Sequence, residues 1–338
     1  MNYWLQIVYD QLVARLDTLP QAILIHGPRG LGKLQLARSF VQRILCEATA
    51  PGAQACGRCD GCRWFLAGQH PDYRKIEPEA LARLIETDES GDGPPAAQKK
   101  EKKASTEIKV EQVRELADFL NIGSHRARRR VALFHPAETM NANAANALLK
   151  SLEEPAPGAC FVLVSHQPRR LLPTIRSRCV AFPVRAPDAA TGIQWLEREG
   201  VGSPAHWLAL AGGAPLAAKD LATSEIGNRI AGWRKLLDEA PEDLAGRLAI
   251  GDRELLEAFV ELLQKWAFDQ AATSLGIAGK FGLGAGQELQ TRSAVDSRHW
   301  LEYARKLGQA RLEARHPVNP KLFLLELVAG MPRTDHRD

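Results

Sequence analysis

An α/β domain built on a mostly parallel sheet, followed by helices to the end of the chain, is the fold that the sequence predicts. Short apolar runs at Ala22–His26 (AILIH), Val131–His135 (VALFH) and Cys160–Ser165 (CFVLVS) alternate with helical patterns through the first 180 residues. After Pro183 such runs stop. Each run ends at polar residues or glycine, as a strand does when it is buried on both faces and its carboxyl end opens on a site.

The rest of the chain is consistent with this layout. With 338 residues, 45% of them apolar, it can bury more than one core, and two or three domains are expected. The net charge of +4 comes from 44 basic against 40 acidic residues, so the surface is mixed in sign and exerts no strong long-range pull on DNA. Asp10 interrupts the N-terminal apolar positions, which argues against a signal-peptide core, and no apolar run approaches the length of a membrane span. A cytoplasmic location is therefore expected. Between Asp88 and Thr106 there is no apolar periodicity, two prolines are consecutive and lysines cluster. This segment reads as a disordered insertion, either a solvated tether or a DNA-binding arm.

The C-terminal half is helical in pattern. Asp188–Glu199 and Pro204–Ala211 read as a short helical pair closed by Gly212 and Gly213. Further on, Leu255, Leu256, Phe259, Val260, Leu263 and Trp266 fall on one helical face, as do Trp300, Ala304 and Leu307. Asn319 before Pro320 suits a helix start. The tryptophans here read as core residues.

Gly27-Pro28-Arg29-Gly30-Leu31-Gly32-Lys33 fits G-x-x-x-x-G-K between the first strand and a helix over Leu34–Leu45. Such a loop holds phosphates because its glycines let backbone amides converge, while the helix N-terminus and the lysine supply positive potential. Leu34, however, stands where an active loop places a magnesium-binding hydroxyl. The strand at Val131 ends in His135 and Pro136 rather than in acids, and Glu138 lies beyond the expected position. A site without that hydroxyl and both acids lacks most of the positioning and electrostatics that hydrolysis requires. Phosphate binding without turnover remains open.

Cys56-x2-Cys59-x2-Cys62, with Cys46 at the end of the preceding helix, supplies four thiolates for a structural zinc ion, and Gly57 and Gly61 allow the bend. A metal-free thiol cluster is the alternative. Cys160 and Cys179 are not offered as ligands. Arg126, Arg128, Arg129 and Arg130 form a basic cluster, read as a solvated loop or as a contact to DNA or another subunit.

Asn146-Ala147-Leu148-Leu149-Lys150-Ser151-Leu152-Glu153-Glu154-Pro155, followed by Thr174-Ile175-Arg176-Ser177-Arg178-Cys179, resembles the signature of the clamp-loader branch of the AAA+ proteins. With the loop and the cysteines this resemblance covers most of the first 180 residues. The helical half resembles the family only in layout, His316–Val328 most closely. The implied architecture is an AAA+-type parallel-sheet domain with a zinc module over 1–182, a small helical lid domain over 183–221 and an all-α C-terminal collar domain over 222–338.

The resemblance puts Ser165 at the first sensor position. It also puts Gly213-Ala214-Pro215-Leu216 where a motor subunit presents a sensor arginine. Leu216 removes that charge, so the implied role is a non-hydrolysing subunit of a hetero-pentameric clamp loader that places a sliding clamp on primed DNA during replication. Its implied neighbours are the delta subunit and a gamma or tau motor subunit. Arg178 is the implied arginine finger, acting in trans on ATP held by that motor. A local carboxylate partner for Arg178 is the plainer alternative. Two other readings are an active ATPase of the gamma or tau motor type, favoured by the intact loop, and a zinc-dependent DNA-binding module, disfavoured by the modest charge.

Overall fold

The computed structural model describes residues 1–48, 54–83, 104–121, 129–239, 248, 250, 253–283, 296–314, 316 and 318–332. The chain divides into two compact units, Met1–Ala186 and Pro187–Asp338.

The first unit runs α1 (Tyr3–Val13), β1 (Ala22–His26), α2 (Lys33–Leu45), α3 (Asp60–Leu66), β2 (Tyr73–Ile76), α4 (Val110–Asn121), β3 (Arg130–Phe134), α5 (Ala142–Glu153), β4 (Ala159–Ser165), α6 (Pro173–Arg178) and β5 (Val180–Pro183). All strand pairs are parallel, in the order β2-β3-β4-β1-β5, which agrees with the AAA+-type sheet expected. β3 and β4 are buried along their whole length, and β1 is buried up to Ile25. A strand covered on both faces is apolar along most of its length, which is why these three were readable as continuous runs; Arg130 at the start of β3 and Ser165 at the end of β4 are buried polar ends.

The edge strands β2 (YRKI) and β5 (VAFP) were not identified from the sequence. Each mixes buried with exposed positions, and Pro183 is tolerated because an edge strand need not donate every N–H. Phe134, Phe161, Leu148 and Ile175 join Val113, Leu116 and Leu120 of α4 in a core cluster on the sheet. Ser105, at the end of the expected insertion, accepts the Ala80 N–H at 3.0 Å. Residues 88–103 of that insertion lie outside the described residues.

In the second unit Asp188 caps α7 (Ala189–Arg198), its Oδ1 accepting the Thr191 N–H at 2.9 Å. α8 (Pro204–Leu210) follows and ends at Gly212 and Gly213, both with positive φ. The expected helical pair is in fact a triplet, because α9 (Pro215–Thr223) packs with them around Leu196, Leu208 and Ala218. Pro215 at the first helical position starts α9 directly after the glycines.

α10 (Glu225–Glu239), α11 (Arg253–Ser274), α12 (Ser297–Glu313) and α13 (Pro320–Ala329) share a larger core containing Phe259, Leu263, Leu307 and Leu324. Trp233, Trp266 and Trp300 lie in it, as expected, with Trp266 edge-on to Trp300 at 5.2 Å between ring centroids. Asn319 caps α13, its Oδ1 accepting from the N–H of Lys321 and Leu322.

Asp269, fully buried on α11, accepts backbone N–H groups of Lys280 (2.7 Å), Phe281 (3.0 Å) and Leu283 (2.8 Å). A Cβ on Gly279 would come within 2.8 Å of that carboxylate, so the segment approaches at a glycine. Asp269→Ala strands three N–H groups and is expected to cost on the order of 3 kcal/mol. Urea unfolding followed by tryptophan fluorescence checks this through a lowered midpoint at unchanged slope. An unchanged midpoint means that other contacts hold the segment.

Candidate functional site

The phosphate-type loop leaves the carboxyl end of β1 between β4 and β5, where His26 pairs with Ser165 on one side and Pro183 on the other. Gly27 is required by close approach, since a Cβ there would lie 2.2 Å from the Val184 carbonyl oxygen. Gly30 and Gly32 take φ of 77° and 85°, which turn the chain into α2. From α1, the Trp4 indole donates to the Leu31 carbonyl at 3.0 Å and fixes the loop from outside. Lys33 is buried, and its ammonium donates to the Pro28 carbonyl of its own loop. Burial lowers its pKa to about 8, against a smaller opposing pull from Glu138.

Two histidines stand at the carboxyl ends of β3 and β4, near enough to Lys33 and Arg29 to feel their charge. His135, 8% exposed, follows β3, and His166 follows β4, with ring centroids 5.4 Å apart. Burial, reinforced by Lys75, Lys33 and Arg29, pushes the His135 pKa down to about 4. Burial and Lys33 take His166 to about 3, so both rings are neutral at pH 7. Glu138 folds back, its Oε1 accepting the His166 N–H at 3.0 Å. Ser165 is fully buried, and its hydroxyl accepts the Gln167 N–H at 3.2 Å. His166 and the return of Glu138 were missed in the sequence; the signal available was a histidine at the carboxyl end of two adjacent strands.

The Asn146–Pro155 motif is partly structural. Leu148 and Leu152 of α5 face the core, while Asn146, Glu153 and Glu154 are exposed. Arg178, the last residue of α6, is exposed. Its Nη1 donates to the Thr174 carbonyl at 3.0 Å and its Nη2 to Glu153 Oε1 at 2.6 Å, so a local carboxylate partner is present. Arg176 on the same helix instead contributes, with Lys33, to depressing the His26 pKa, burial being the larger cause. Leu216 sits in the first turn of α9, in the second unit.

Cys46 ends α2, Cys59 caps α3, and Cys62 is buried within α3. Their sulfurs and that of Cys56 all lie within 4.8 Å of one another. The Cys46–Cys59 and Cys56–Cys62 separations are 3.9 and 4.0 Å. A tetrahedral thiolate site with metal–sulfur bonds of about 2.3 Å has edges of about 3.8 Å, close to these two separations, so the four sulfurs are grouped as a metal site would need them. Backbone N–H groups of Cys56, Cys59 and Cys62 point at the sulfurs of Cys46, Cys56 and Cys59, each at 3.4 Å; backbone hydrogen bonds hold the Cys56 thiol below its usual pKa, while burial pushes Cys62 up to about 12. Gly61 is needed because a Cβ would meet the Leu45 carbonyl oxygen at 2.4 Å.

The basic cluster divides. Arg126 and Arg128 lie outside the described residues, and Arg129 donates to the Leu19 carbonyl at 3.3 Å. Arg130 is neither solvated nor open to DNA. It is 3% exposed, 3.6 Å from the buried carboxylate of Asp72, and its guanidinium lies 4.7 Å from the Phe119 ring centroid. As the first residue of β3 it belongs to the sheet.

A family model described as DNA polymerase III, delta subunit, matches residues 7–188. The DNA polymerase III subunit delta-prime of Pseudomonas aeruginosa is 42% identical over 222 residues, 64% of this chain and 60% of that protein. The delta-prime subunit of Escherichia coli K12 is 32% identical over 220 residues, 64% and 59% of the two chains. The E. coli tau subunit is 34% identical over 173 residues, 51% of this chain and 23% of that protein. The chain thus spans about 60% of the length of these delta-prime relatives. Among solved structures, a gamma-subunit-related protein from Thermotoga maritima is 17% identical with a TM-score of 0.48, covering 95% of this chain and 97% of that one.

The buried histidines give a stability test. In the unfolded chain each titrates near about 6.5. The folded chain takes those protons only near pH 4 at His135 and 3 at His166, so their contribution is complete above about 6.5 and is lost as pH falls toward the lower values. His135→Gln is expected to lose less Tm than the wild type on going from about pH 7.5 to 5. Equal losses would place the acid sensitivity elsewhere.

Proposed function

The chain belongs to the DNA polymerase III delta-subunit family, and on that premise we propose that it is a non-hydrolysing, delta-prime-type subunit of the clamp loader. The observation that carries this reading is a phosphate loop kept intact beside Leu34, His135 and Pro136, where hydrolysis needs a hydroxyl and two acids. Lys33 satisfies itself on Pro28, and neutral imidazoles occupy the ends of β3 and β4. In this role the chain sits in a hetero-pentamer in the cytoplasm, between the delta subunit and a gamma or tau motor, and helps to place the sliding clamp on primed DNA. α7–α9 form the lid, and the helices beyond residue 221 form the collar through which the subunits associate.

Arg178 acts in trans as the arginine finger, its permanent charge stabilising the phosphate transferred on the neighbouring motor. Cys46, Cys56, Cys59 and Cys62 hold one structural zinc; four thiolates leave no open catalytic position. A second reading, an active motor-type ATPase, is favoured by Glu138, whose charge acts on Lys33. That carboxylate is already engaged by the His166 N–H, and the missing hydroxyl leaves magnesium unsupported.

The isolated chain is expected to hydrolyse no ATP above background, and Arg178→Ala to assemble normally while slowing ATP hydrolysis in the reconstituted complex. A finger is worth about a thousandfold or more at its own site in favourable cases, and several sites dilute this to a partial loss in the total rate. Arg176→Ala is the control that changes little. Wild-type clamp loading by Arg178→Ala, or turnover of about one per second by the isolated chain, would overturn the reading.

Metal analysis of protein purified without chelator is expected to give one zinc per chain, and Cys59→Ser to lose it together with thermal stability, because structural metal binding is folding free energy. Substoichiometric metal in the wild type would favour the metal-free thiol cluster.

A further inference from the structure

Arg178 is held from two sides. Its Nη1 donates to the Thr174 carbonyl one helical turn back, and its Nη2 donates to Glu153 at the end of α5. We propose that Glu153 is a positioning residue for Arg178, holding the guanidinium in place on the surface of the first unit before a partner's phosphate arrives. This rests on the trans-acting reading of Arg178 given above.

The guanidinium carries five N–H donors. Two are used by Thr174 and Glu153, which leaves three for a phosphate. Glu153 is itself well anchored, since Leu148 and Leu152 bury the helix it terminates. An arginine free in solvent loses much rotamer freedom when it is fixed, and restricting it beforehand reduces that loss on binding. The pair is also weak enough to let the charge work elsewhere: the two side chains are 36% and 50% exposed, and exposed ion pairs contribute little to stability. Such a contact orients the arginine without sequestering it. It also links the two sequence motifs physically, because one supplies the carboxylate and the other the guanidinium.

The test uses the reconstituted clamp-loader complex with DNA and clamp present. Glu153→Ala is expected to lower kcat for ATP about two- to fivefold, the range open to an exposed ion pair, with KM unchanged. Glu153→Asp is expected to restore most of the rate. Glu153→Ala in the Arg178→Ala background is expected to add nothing, because Glu153 acts only through Arg178. Glu154→Ala serves as the neighbouring control, and Glu153→Gln separates loss of charge from loss of the side chain.

If Arg178→Ala slows the complex while Glu153→Ala leaves it at the wild-type rate, the positioning role is wrong and the finger stands. A faster Glu153→Ala complex makes the pair a brake and overturns the proposal, as does a further loss in the double variant. If Arg178→Ala has no effect, the finger reading itself fails, and this proposal fails with it.

Discussion

The parallel register of β1 against β4, with His26 opposite Ser165, is the constraint on which the rest of the first unit depends. It brings the phosphate-type loop, the buried Ser165 hydroxyl and His166 to one end of the sheet. The same ladder continues to β5 on the other side of β1, so α6 with Arg178, directly preceding β5, is placed relative to the loop by strand pairing. Polar chemistry gathers at the carboxyl ends because the interior of β3 and β4 admits only apolar side chains.

At these carboxyl ends two neutral imidazoles accompany the buried Lys33. An active site of this kind sets magnesium and acids against phosphate, and each charge requires a counter-charge. Here imidazoles stand at the strand ends, depressed below their usual range by burial and by Lys33. Glu138 is drawn to a backbone amide, and Lys33 to a carbonyl two residues before the next glycine of its own loop. Lys33 and Glu138 Oε1 find partners within the protein, while Glu138 Oε2 and the Nδ1 atoms of His135 and His166 are buried without one; Arg178, in contrast, is held at the surface by Glu153 and the Thr174 carbonyl.

The sequence made legible what burial makes uniform. The three central strands, the loop, the cysteine spacing and the caps at Asp188 and Asn319 all appeared as patterns set by local geometry. Edge strands β2 and β5 did not, since one exposed face erases the apolar run. Arg130 shows a further limit: in a row of arginines nothing local marks the one that pairs with Asp72, because that partner comes from a residue 58 positions earlier in the chain. The return of Glu138 toward His166 and the meeting of Glu153 with Arg178 are likewise long-range, visible only once the turn after β3 lies against β4 and α6 against α5.

Gly27 bears on how such chains are read in bulk. Its lack of a side chain is demanded by the Val184 carbonyl oxygen, 2.2 Å from where a Cβ would stand, whatever the loop does or does not bind. Lys33 has a comparable internal reason to stay, through Pro28. Two positions of the G-x-x-x-x-G-K string, Gly27 and Lys33, thus have partners inside the protein that hold with or without a nucleotide. A genome-wide tally made on that string alone would include this chain, and the residue after the lysine and the ends of the strands beside the loop are the positions to read with it.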